Sequence, residues 1–255
     1  MLRTLDDLQR RLSGTATVSE TVDAALEHVQ AAGFDAMIYD YSPVATTPEG
    51  ALLSPSHLSH RNVPSDMREM WCDRGYHQRD PVQQLSLRRA MPFAWSYRQD
   101  DRSTDLGRHI TGEHAAVSAY LHDAGLTCGV TVPVHRPDGG FATLTAIVHN
   151  APPGFAEACR PILLEFGLLG QMVHEQAYPR FERHERQGCG IRLTRREREC
   201  LRYAAEGLTA KEIAERLRRS VPTATLHLKS AARKLGARNR LHAVTLAMHY
   251  RLLDL

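Results

Sequence analysis

Residues 193–241 constrain the fold more than any other stretch, because their sequence marks the starts of helices clearly. Thr194 is followed three residues later by Glu197, and Thr209 is followed in the same way by Glu212. Each pair is a capping box, in which the hydroxyl and the carboxylate satisfy free N–H groups at a helix start. Two short helices with fixed beginnings are therefore predicted here.

Glycine and serine set the remaining boundaries of this stretch. Gly207 ends the first helix, so helices are predicted over 195–206 and 210–218 with a tight turn between them. Ser220 caps a third helix that runs to about Leu235. A helix, a turn and a further helix follow the helix-turn-helix plan, in which the last helix enters the major groove of DNA.

The third helix presents short polar groups near its start and basic groups further on, an order that suits base edges first and phosphates after. The residues predicted to contact DNA are Thr223, Thr225, Leu226, His227, Lys229 and Arg233. The apolar positions at helical spacing, predicted to form the core of this bundle, are Leu201, Ala204, Ala205, Ile213, Ala214, Leu217, Leu226, Ala232 and Leu235. Leu226 belongs to both sets.

Positive charge is concentrated in the last quarter of the chain. Residues 191–255 hold 15 Lys and Arg against 6 Asp and Glu, a net charge of +9. The remaining residues hold 17 against 23 and carry −6, which gives the +3 of the whole chain. Such clustering is the electrostatic pattern expected of a protein that binds the phosphate backbone. The alternative is a solvated basic face on an ordinary helical bundle.

The same residues resemble the C-terminal DNA-binding domain of the LuxR family of transcription factors. The resemblance is carried by LTRRERECL, AEGLTAKEIAERL and KLGARNR, with Glu197, Leu201 and Gly207 at that family's most typical positions. One departure lies in the third helix, where the family often has Val-Lys after the residue matching Thr223 and this chain has Ala-Thr. This departure affects the base preference and leaves the fold unchanged.

Response regulators with a phosphorylated receiver domain share this type of DNA-binding domain and form a second class of candidates. A receiver begins with a strand that ends in paired acidic residues, and it carries a later phospho-acceptor Asp and a Lys. Here Asp6 and Asp7 lie in a helical pattern, and the first 175 residues contain no lysine. The sequence therefore argues against a receiver.

The preceding part of the chain mixes helical and strand patterns. Helices are predicted over 4–12, 18–32, 63–76, from Asp80 onwards, 103–124 and 154–178, and strands over 34–42, 91–96 and the two arms of a hairpin at 129–150. Residues 44–61 have no clear period and are predicted as a loop with a short strand or turn. We expect an α+β chain in which an N-terminal α–β–α sandwich with an antiparallel sheet precedes an all-α helix-turn-helix bundle. The predicted domains are 1–175 and 191–255, joined by a charged linker at 176–190.

Composition argues against several other classes of protein. No apolar run is long enough for a membrane span, and MLRTLDDLQRRL is too charged for a signal peptide, so a cytoplasmic protein without membrane contact is expected. The five cysteines (72, 128, 159, 189 and 200) and fourteen histidines lack metal-ligand spacing. No nucleophile–base pair or phosphate-binding glycine loop is present. We therefore predict no catalytic residue, no metal and no cofactor.

The stretches MREMWCDRGYHQRDPV, PFAWS and GLTCGVTVPVH resemble the ligand-binding domain of the LuxR family over most of residues 5–175. The resemblance implies that Asp80 accepts a hydrogen bond from the amide N–H of an N-acyl-homoserine lactone and that Trp95 packs against the head group. Gly129 matches a typical glycine before the hairpin, and Thr145 falls where some members place a hydroxyl near a 3-oxo group. The alternative for Asp80 is a cap of its own helix that binds backbone N–H groups only.

Departures from this pattern fall on the residues that would hold the lactone. Receptors for acyl-lactones typically have Trp at the position of Met67, Tyr at that of Trp71 and Tyr at that of Val63, and neither Met nor Val donates a hydrogen bond. Two carbonyls of the lactone would stay unpaired, at about 1–3 kcal/mol each. Met with Trp at these positions resembles the LuxR solos of plant-associated bacteria, which respond to low-molecular-weight plant compounds. The alternative is that other donors retain the lactone. The predicted ligand-binding residues are Asp80, Trp95, Trp71, Met67, Tyr76, Val63, Thr145, Tyr39, Tyr41 and Thr131.

The family resemblance further implies a homodimer on an inverted-repeat promoter element and an activator that contacts RNA polymerase. Two-fold pairing would place the recognition helices about 34–36 Å apart. The predicted C-terminal helix over 240–252 offers a dimer contact through Val244, Leu246, Ala247 and Leu252, although a core helix would have the same pattern.

Overall fold

The computed structural model describes residues 2–98, 104, 106–149, 151, 154–182, 185–186 and 191–253, with the side chains of 2–5 left out. The chain divides into two compact units. The larger unit comprises Met1–Ala45 and Leu52–Arg186, and the smaller one comprises Thr46–Ala51 and Gln187–Leu255.

The larger unit is built on one antiparallel sheet. Its five strands are β1 (Ala36–Ser42), β2 (His57–Arg61), β3 (Phe93–Ser96), β4 (Cys128–His135) and β5 (Phe141–Val148). They lie in the order β2-β1-β5-β4-β3, and every neighbouring pair is antiparallel. The predicted hairpin is confirmed as β4 and β5, joined through the Pro137–Gly140 turn, where Gly139 adopts a φ of 81°. The short strand allowed for in 44–61 is β2.

Helices cover both faces of this sheet. They are α1 (Leu2–Ser13), α2 (Val18–Ala31), α3 (Tyr76–Arg79), α4 (Pro81–Ser86), α5 (Ala115–Asp123), α6 (Phe155–Cys159) and α7 (Leu163–Ala177). Helices α1, α2 and α7 pack together on one face. Apolar residues of α4 and α5 join the opposite face. The predicted α–β–α sandwich is confirmed.

The two faces follow from the alternation of side chains along each strand. On β1, Met37, Tyr39 and Tyr41 belong to the core shared with α7, whereas Ile38 belongs to the second apolar cluster. Asp40 lies on the same face as Ile38 and is fully buried. The sheet therefore separates two cores, and only the second contains the predicted residue Asp80.

Two predicted helices are shorter than their sequence pattern indicated. In place of one helix over 103–124, the described residues form 3₁₀ turns at Leu106–Arg108 and Gly112–His114 followed by α5, and Thr111 supplies a new helix start. Residues 99–103 and 105 lie outside the described residues. The predicted helix over 154–178 is interrupted by a 3₁₀ turn at Arg160–Ile162, because Pro161 removes a backbone donor.

The segment before Asp80 is also irregular. In place of a regular helix over 63–76, the chain forms a short helical segment with a π-helical turn at Glu69–Asp73. Helix α7 and a 3₁₀ turn at Tyr178–Arg180 include the first residues of the predicted linker, whose residues 183–184 and 187–190 lie outside the described part.

Over residues 191–253, the smaller unit forms a bundle of four helices, α8 (Arg195–Ala205), α9 (Ala210–Arg216), α10 (Val221–Lys234) and α11 (Arg240–His249). Both predicted capping boxes are present, with Thr194 and Thr209 accepting from the third backbone N–H of their helices. Gly207 adopts a φ of 89°, as the predicted helix end requires. Ser220 caps α10, so local sequence signals set all these boundaries.

None of the described helices is long and apolar enough to cross a membrane. Among the cysteines that the structure describes, Cys72, Cys128, Cys159 and Cys200 are not in disulfides.

Candidate functional site

The second sheet face carries a buried apolar cluster in which most of the predicted ligand-binding residues meet. Met67, Trp71 and Trp95 are buried members, and Val63 and Tyr76 are half-buried against them. Thr131 and Thr145 are buried on the same face of β4 and β5. Within the described part of the chain, no group of three or more His, Cys, Asp or Glu side chains is arranged to hold a metal ion.

Asp80 is the ionisable centre of this face. Its Oδ1 accepts a hydrogen bond from the backbone N–H of Val82 at 2.8 Å and another from the hydroxyl of Tyr97. The first bond caps α4, as the alternative interpretation of Asp80 proposed. Burial raises the pKa of Asp80 to about 6, although the bonds from Tyr97 and Val82 oppose that rise. A buried carboxylate of this kind gains from an N–H donor brought by a ligand.

Trp95 lies against the sheet because its neighbour has no side chain. It pairs with Gly129 across β3 and β4, and a Cβ on Gly129 would fall 2.5 Å from the indole ring and from the carbonyl of Ala146. The indole Nε1 donates to Thr131 Oγ1 at 2.8 Å, and that hydroxyl lies 2.9 Å from Thr145 Oγ1. Trp95, Thr131 and Thr145 therefore form one hydrogen-bonded row.

Of the three positions that depart from the acyl-lactone pattern, Met67 and Trp71 are in the interior and Val63 is half-buried. Met67 is fully buried and supplies no donor. Trp71 is also buried, and its Nε1 has no hydrogen-bond partner among the described residues. The indole N–H of Trp71 is thus an unused hydrogen-bond donor in this apolar cluster.

Four functional candidates escaped prediction from sequence, namely Tyr97, Asp40, His77 and Gln83. Tyr97 continues the alternation of Phe93 and Trp95, so its inward direction was available from the period of the strand. Asp40 was also detectable, as a carboxylate within an apolar strand. The approach of His77 and Gln83 to Asp40 depends on tertiary packing.

Two predicted ligand-binding residues lie elsewhere, and the prediction is corrected for them. Tyr39 and Tyr41 project from the other face of β1, because they alternate with Ile38 and Asp40. The hydroxyl of Tyr39 lies 2.9 Å from His174 Nδ1, and the ring of Tyr41 stacks on Phe181 at 4.7 Å between centroids. Both rings belong to the core beneath α7.

The third helix of the bundle, α10, presents the predicted DNA-contacting residues at its surface. Lys229 and Arg233 are exposed, and Thr223, Thr225 and His227 are half-buried. Leu226 is 65% exposed, so its prediction as a core residue was wrong. The buried positions of α10 are Ala224, Leu228 and Ala231. They are spaced by four and three residues, and Leu226 lies opposite them.

Glu197 joins two helices of the bundle. Its carboxylate accepts from Lys234 Nζ at 2.7 Å, from Ser230 Oγ at 2.8 Å and from the backbone N–H of Thr194 at 2.7 Å. Burial alone would raise the pKa of Glu197, but these hydrogen bonds outweigh it and lower the pKa to about 2. The buried carboxylate thus holds α10 against the start of α8.

Helix α11 is packed differently from the predicted dimer contact. Val244, Leu246, Ala247 and Leu252 belong to the core of their own unit, which corrects the prediction and agrees with the alternative of a core helix. The exposed apolar residues of α11 are Leu241 and Met248, with exposed Thr245 between them. The period of the helix places all three on one side.

Comparisons with known proteins match both units. Residues 17–177 match the autoinducer binding domain, and residues 192–247 match bacterial regulatory proteins of the luxR family. The transcriptional activator protein BjaR1 of Bradyrhizobium diazoefficiens is 29% identical over 75% of this chain and 74% of its own length. The quorum sensing-dependent transcriptional regulator RpaR of Rhodopseudomonas palustris is 33% identical over 72% of this chain and 70% of its own.

Solved structures agree in fold. Escherichia coli SdiA superposes with a TM-score of 0.61 at 20% identity, covering 98% of this chain and all of SdiA. CepR2 of Burkholderia cenocepacia, described as an N-acylhomoserine lactone dependent LuxR family transcription factor, has a TM-score of 0.53 at 18% identity and covers 70% of this chain and 96% of its own.

Proposed function

This chain belongs to the LuxR family of bacterial regulatory proteins, and we propose that it activates transcription in response to a small molecule other than an acyl-homoserine lactone. The observation that carries the proposal is the replacement of donors around Asp80 by Met67 and Val63, with Trp71 as a new donor. We further propose, from the resemblance to LuxR solos, that the compound comes from plants. Asp80 is retained and would accept an N–H group of that compound.

The second candidate function is that of a quorum-sensing receptor for an N-acyl-homoserine lactone. It is favoured by the retained pair Asp80 and Trp95 and by the names of RpaR and CepR2. Thermal unfolding separates the two candidates, because a ligand at a hundred times its Kd stabilises the native state by about 2.7 kcal/mol. Stabilisation by plant extract alone agrees with the first candidate, and stabilisation by acyl-lactones establishes the second.

Restoring the missing donor should restore lactone binding. We expect Met67→Trp to lower the Kd for N-octanoyl-homoserine lactone by about tenfold, because the indole N–H pairs the lactone carbonyl. The larger ring also strains a buried site, at about 1–3 kcal/mol of stability. Met67→Phe is the control, since it adds bulk without a donor. Equal affinities of the two variants, measured by calorimetry, would refute the argument from missing donors.

DNA binding is proposed for the exposed face of α10, with double-stranded DNA as the partner. We expect Lys229→Ala to weaken binding at low salt and to lower the slope of log K against log salt by about 0.9, as loss of one phosphate contact requires. Lys229→Arg keeps the charge and should keep the slope. The slope is measured by fluorescence anisotropy on a promoter fragment. If Lys229→Ala leaves it unchanged, Lys229 does not contact the phosphate backbone.

A homodimer that binds an inverted repeat and contacts RNA polymerase is part of the proposal. Exposed Leu241, Thr245 and Met248 on α11 support it, because they offer a continuous surface for the same helix of a second copy. Two copies paired in this way would place their α10 helices about 34–36 Å apart, one turn of DNA.

A further inference from the structure

Four polar side chains are buried together on the sheet face that carries Asp80. Asp40 and Thr143 are opposite each other on β1 and β5, and Thr143 Oγ1 donates to Asp40 Oδ2 at 2.6 Å. Gln83 Nε2 lies 3.3 Å from Asp40 Oδ2 and 3.2 Å from Thr143 Oγ1. His77 Nε2 approaches Asp40 Oδ1 to 3.8 Å. We name these residues the Asp40 cluster, and none is more than 2% exposed.

Much of the hydrogen-bonding capacity of the Asp40 cluster is unused. Asp40 Oδ1, Gln83 Oε1 and both ring nitrogens of His77 have no hydrogen-bond partner among the described residues, since the 3.8 Å between His77 Nε2 and Asp40 Oδ1 is too long for one. Buried polar atoms are ordinarily paired, because an unpaired one loses its hydration without compensation. A purely structural network would saturate its own members, whereas these four atoms are buried and unpaired. The unpaired atoms therefore indicate a group that is supplied from outside the chain.

The charged side chains on this face indicate what kind of chemical group would bind there. Asp40 and Asp80 are two buried carboxylates, and burial and the charge of Asp40 both raise the pKa of Asp80, whereas the hydrogen bonds from Tyr97 and Val82 and the nearby His77 oppose that rise. No Lys or Arg is buried among the side chains that the structure describes, and the sequence has no lysine before Lys211. Among the described residues this face thus holds two carboxylates that can accept hydrogen bonds, no buried lysine or arginine, and His77 as the titratable base beside Asp40.

We propose that the Asp40 cluster is a second polar subsite of the ligand-binding face and that it takes a primary ammonium group of the ligand. Asp40 Oδ1 and Gln83 Oε1 accept two N–H groups, and an unprotonated nitrogen of His77 accepts the third. Asp80 then accepts a hydrogen bond from an amide or amine N–H elsewhere on the same molecule. The inference rests on the proposed function and narrows its ligand to amine-bearing compounds.

Two synthetic probes that differ in one terminal group test the subsite. N-octanoylethylenediamine ends in an ammonium group, and N-octanoylethanolamine ends in a hydroxyl of similar size, while both keep the amide N–H. We expect calorimetry on the full chain to give a Kd at least about tenfold lower for the ammonium probe, because its hydrogen bonds are charge-assisted in a buried site. Asp40→Asn should reduce this ratio to within about threefold.

Asp23→Asn is the matched control, since it removes the same charge from an exposed residue of α2 that pairs with Arg61. It should leave the ratio unchanged. Circular dichroism establishes that each variant is folded before titration. Equal affinity of the two probes for the unmodified protein would overturn the subsite and leave the proposed function standing, and so would binding of neither probe by a protein that still binds promoter DNA. Failure of the unmodified protein to bind promoter DNA would count against the proposed function itself.

Discussion

Replacing Glu197 with Ala should unfold the DNA-binding bundle at temperatures where the rest of the chain stays folded. The substitution removes an acceptor from Lys234, from Ser230 and from the backbone of Thr194 at once. Glu197 is buried but Lys234 is 34% exposed, so the cost is below that of a fully buried ion pair and comes mainly from the hydrogen-bond partners left unpaired, at about 1–3 kcal/mol. That loss is a large part of the total stability of a small domain. DNA binding should therefore be lost together with folding.

Glu199→Ala is the control on the same helix. Glu199 pairs with Arg195 and Arg196 at the surface of α8, where such ion pairs contribute about 0–1 kcal/mol. Differential scanning calorimetry should show a lowered transition for Glu197→Ala only. Similar melting of the two variants would mean that the contacts of Glu197 add little stability.

Acid titration gives the same residue a second test. The folded pKa of Glu197 is about 2, below its ordinary value of 4.5, so the carboxylate stabilises the folded state. That stability is fully present above pH 4.5 and is lost as the pH falls towards 2. Glu197→Gln lacks this titration, so the stability difference between the two proteins should shrink over that window.

Asp80→Asn should weaken the response to ligand and make the unliganded protein more stable at neutral pH. The folded pKa of Asp80 is about 6, against an ordinary 3.8, so the folded state favours the protonated carboxyl. Stability is then fullest below pH 3.8 and falls as the pH rises towards 6. Removing the buried charge should gain up to about 3 kcal/mol above pH 6, since one pKa unit corresponds to about 1.4 kcal/mol.

The amide keeps an acceptor for Tyr97 and Val82, so the gain should not be offset by lost bonds within the chain. Ligand affinity should fall by about ten- to a hundredfold, because the bond to a charged acceptor is lost. Asp66→Asn is the control, as Asp66 is an exposed carboxylate that accepts from Tyr120 at 2.9 Å. A lower melting temperature for Asp80→Asn at pH 7.5, or an undiminished response to ligand, would contradict the role given to this charge.

Helix boundaries and turns that depend on residues close together in the sequence were predicted correctly without the structure. The capping boxes at Thr194 and Thr209, the glycine turn at Gly207 and the hairpin at Pro137–Gly140 all rest on contacts within four residues of the chain. These signals fixed the four-helix bundle and the central hairpin. Trp95 and Thr131 were both predicted as ligand-binding residues, and in the structure they lie on one face, joined by a hydrogen bond.

Predictions of which way a side chain faces were wrong where the answer depends on residues far away in the sequence. The rings of Tyr39 and Tyr41 look like ligand contacts in a list of aromatic residues, but their partners are His174 on α7 and Phe181 just beyond it, more than 130 residues away. Leu226 and the apolar residues of α11 were assigned to the wrong sides for the same reason. Periodicity gives the spacing of a helical face, and only the neighbouring helices decide which face turns inward.

The residue types of the proposed ligand site are thus a property of the sequence, in which Asp80 keeps the family's residue and Met67 and Val63 stand where acyl-lactone receptors have donors. Which atoms remain unpaired is a property of the tertiary structure alone. Asp40 is a single carboxylate in a strand until α3 and α4 bring His77 and Gln83 against it and cover all three from water. Burial makes an unpaired polar atom costly, and burial is set by contacts between segments that the chain order leaves far apart.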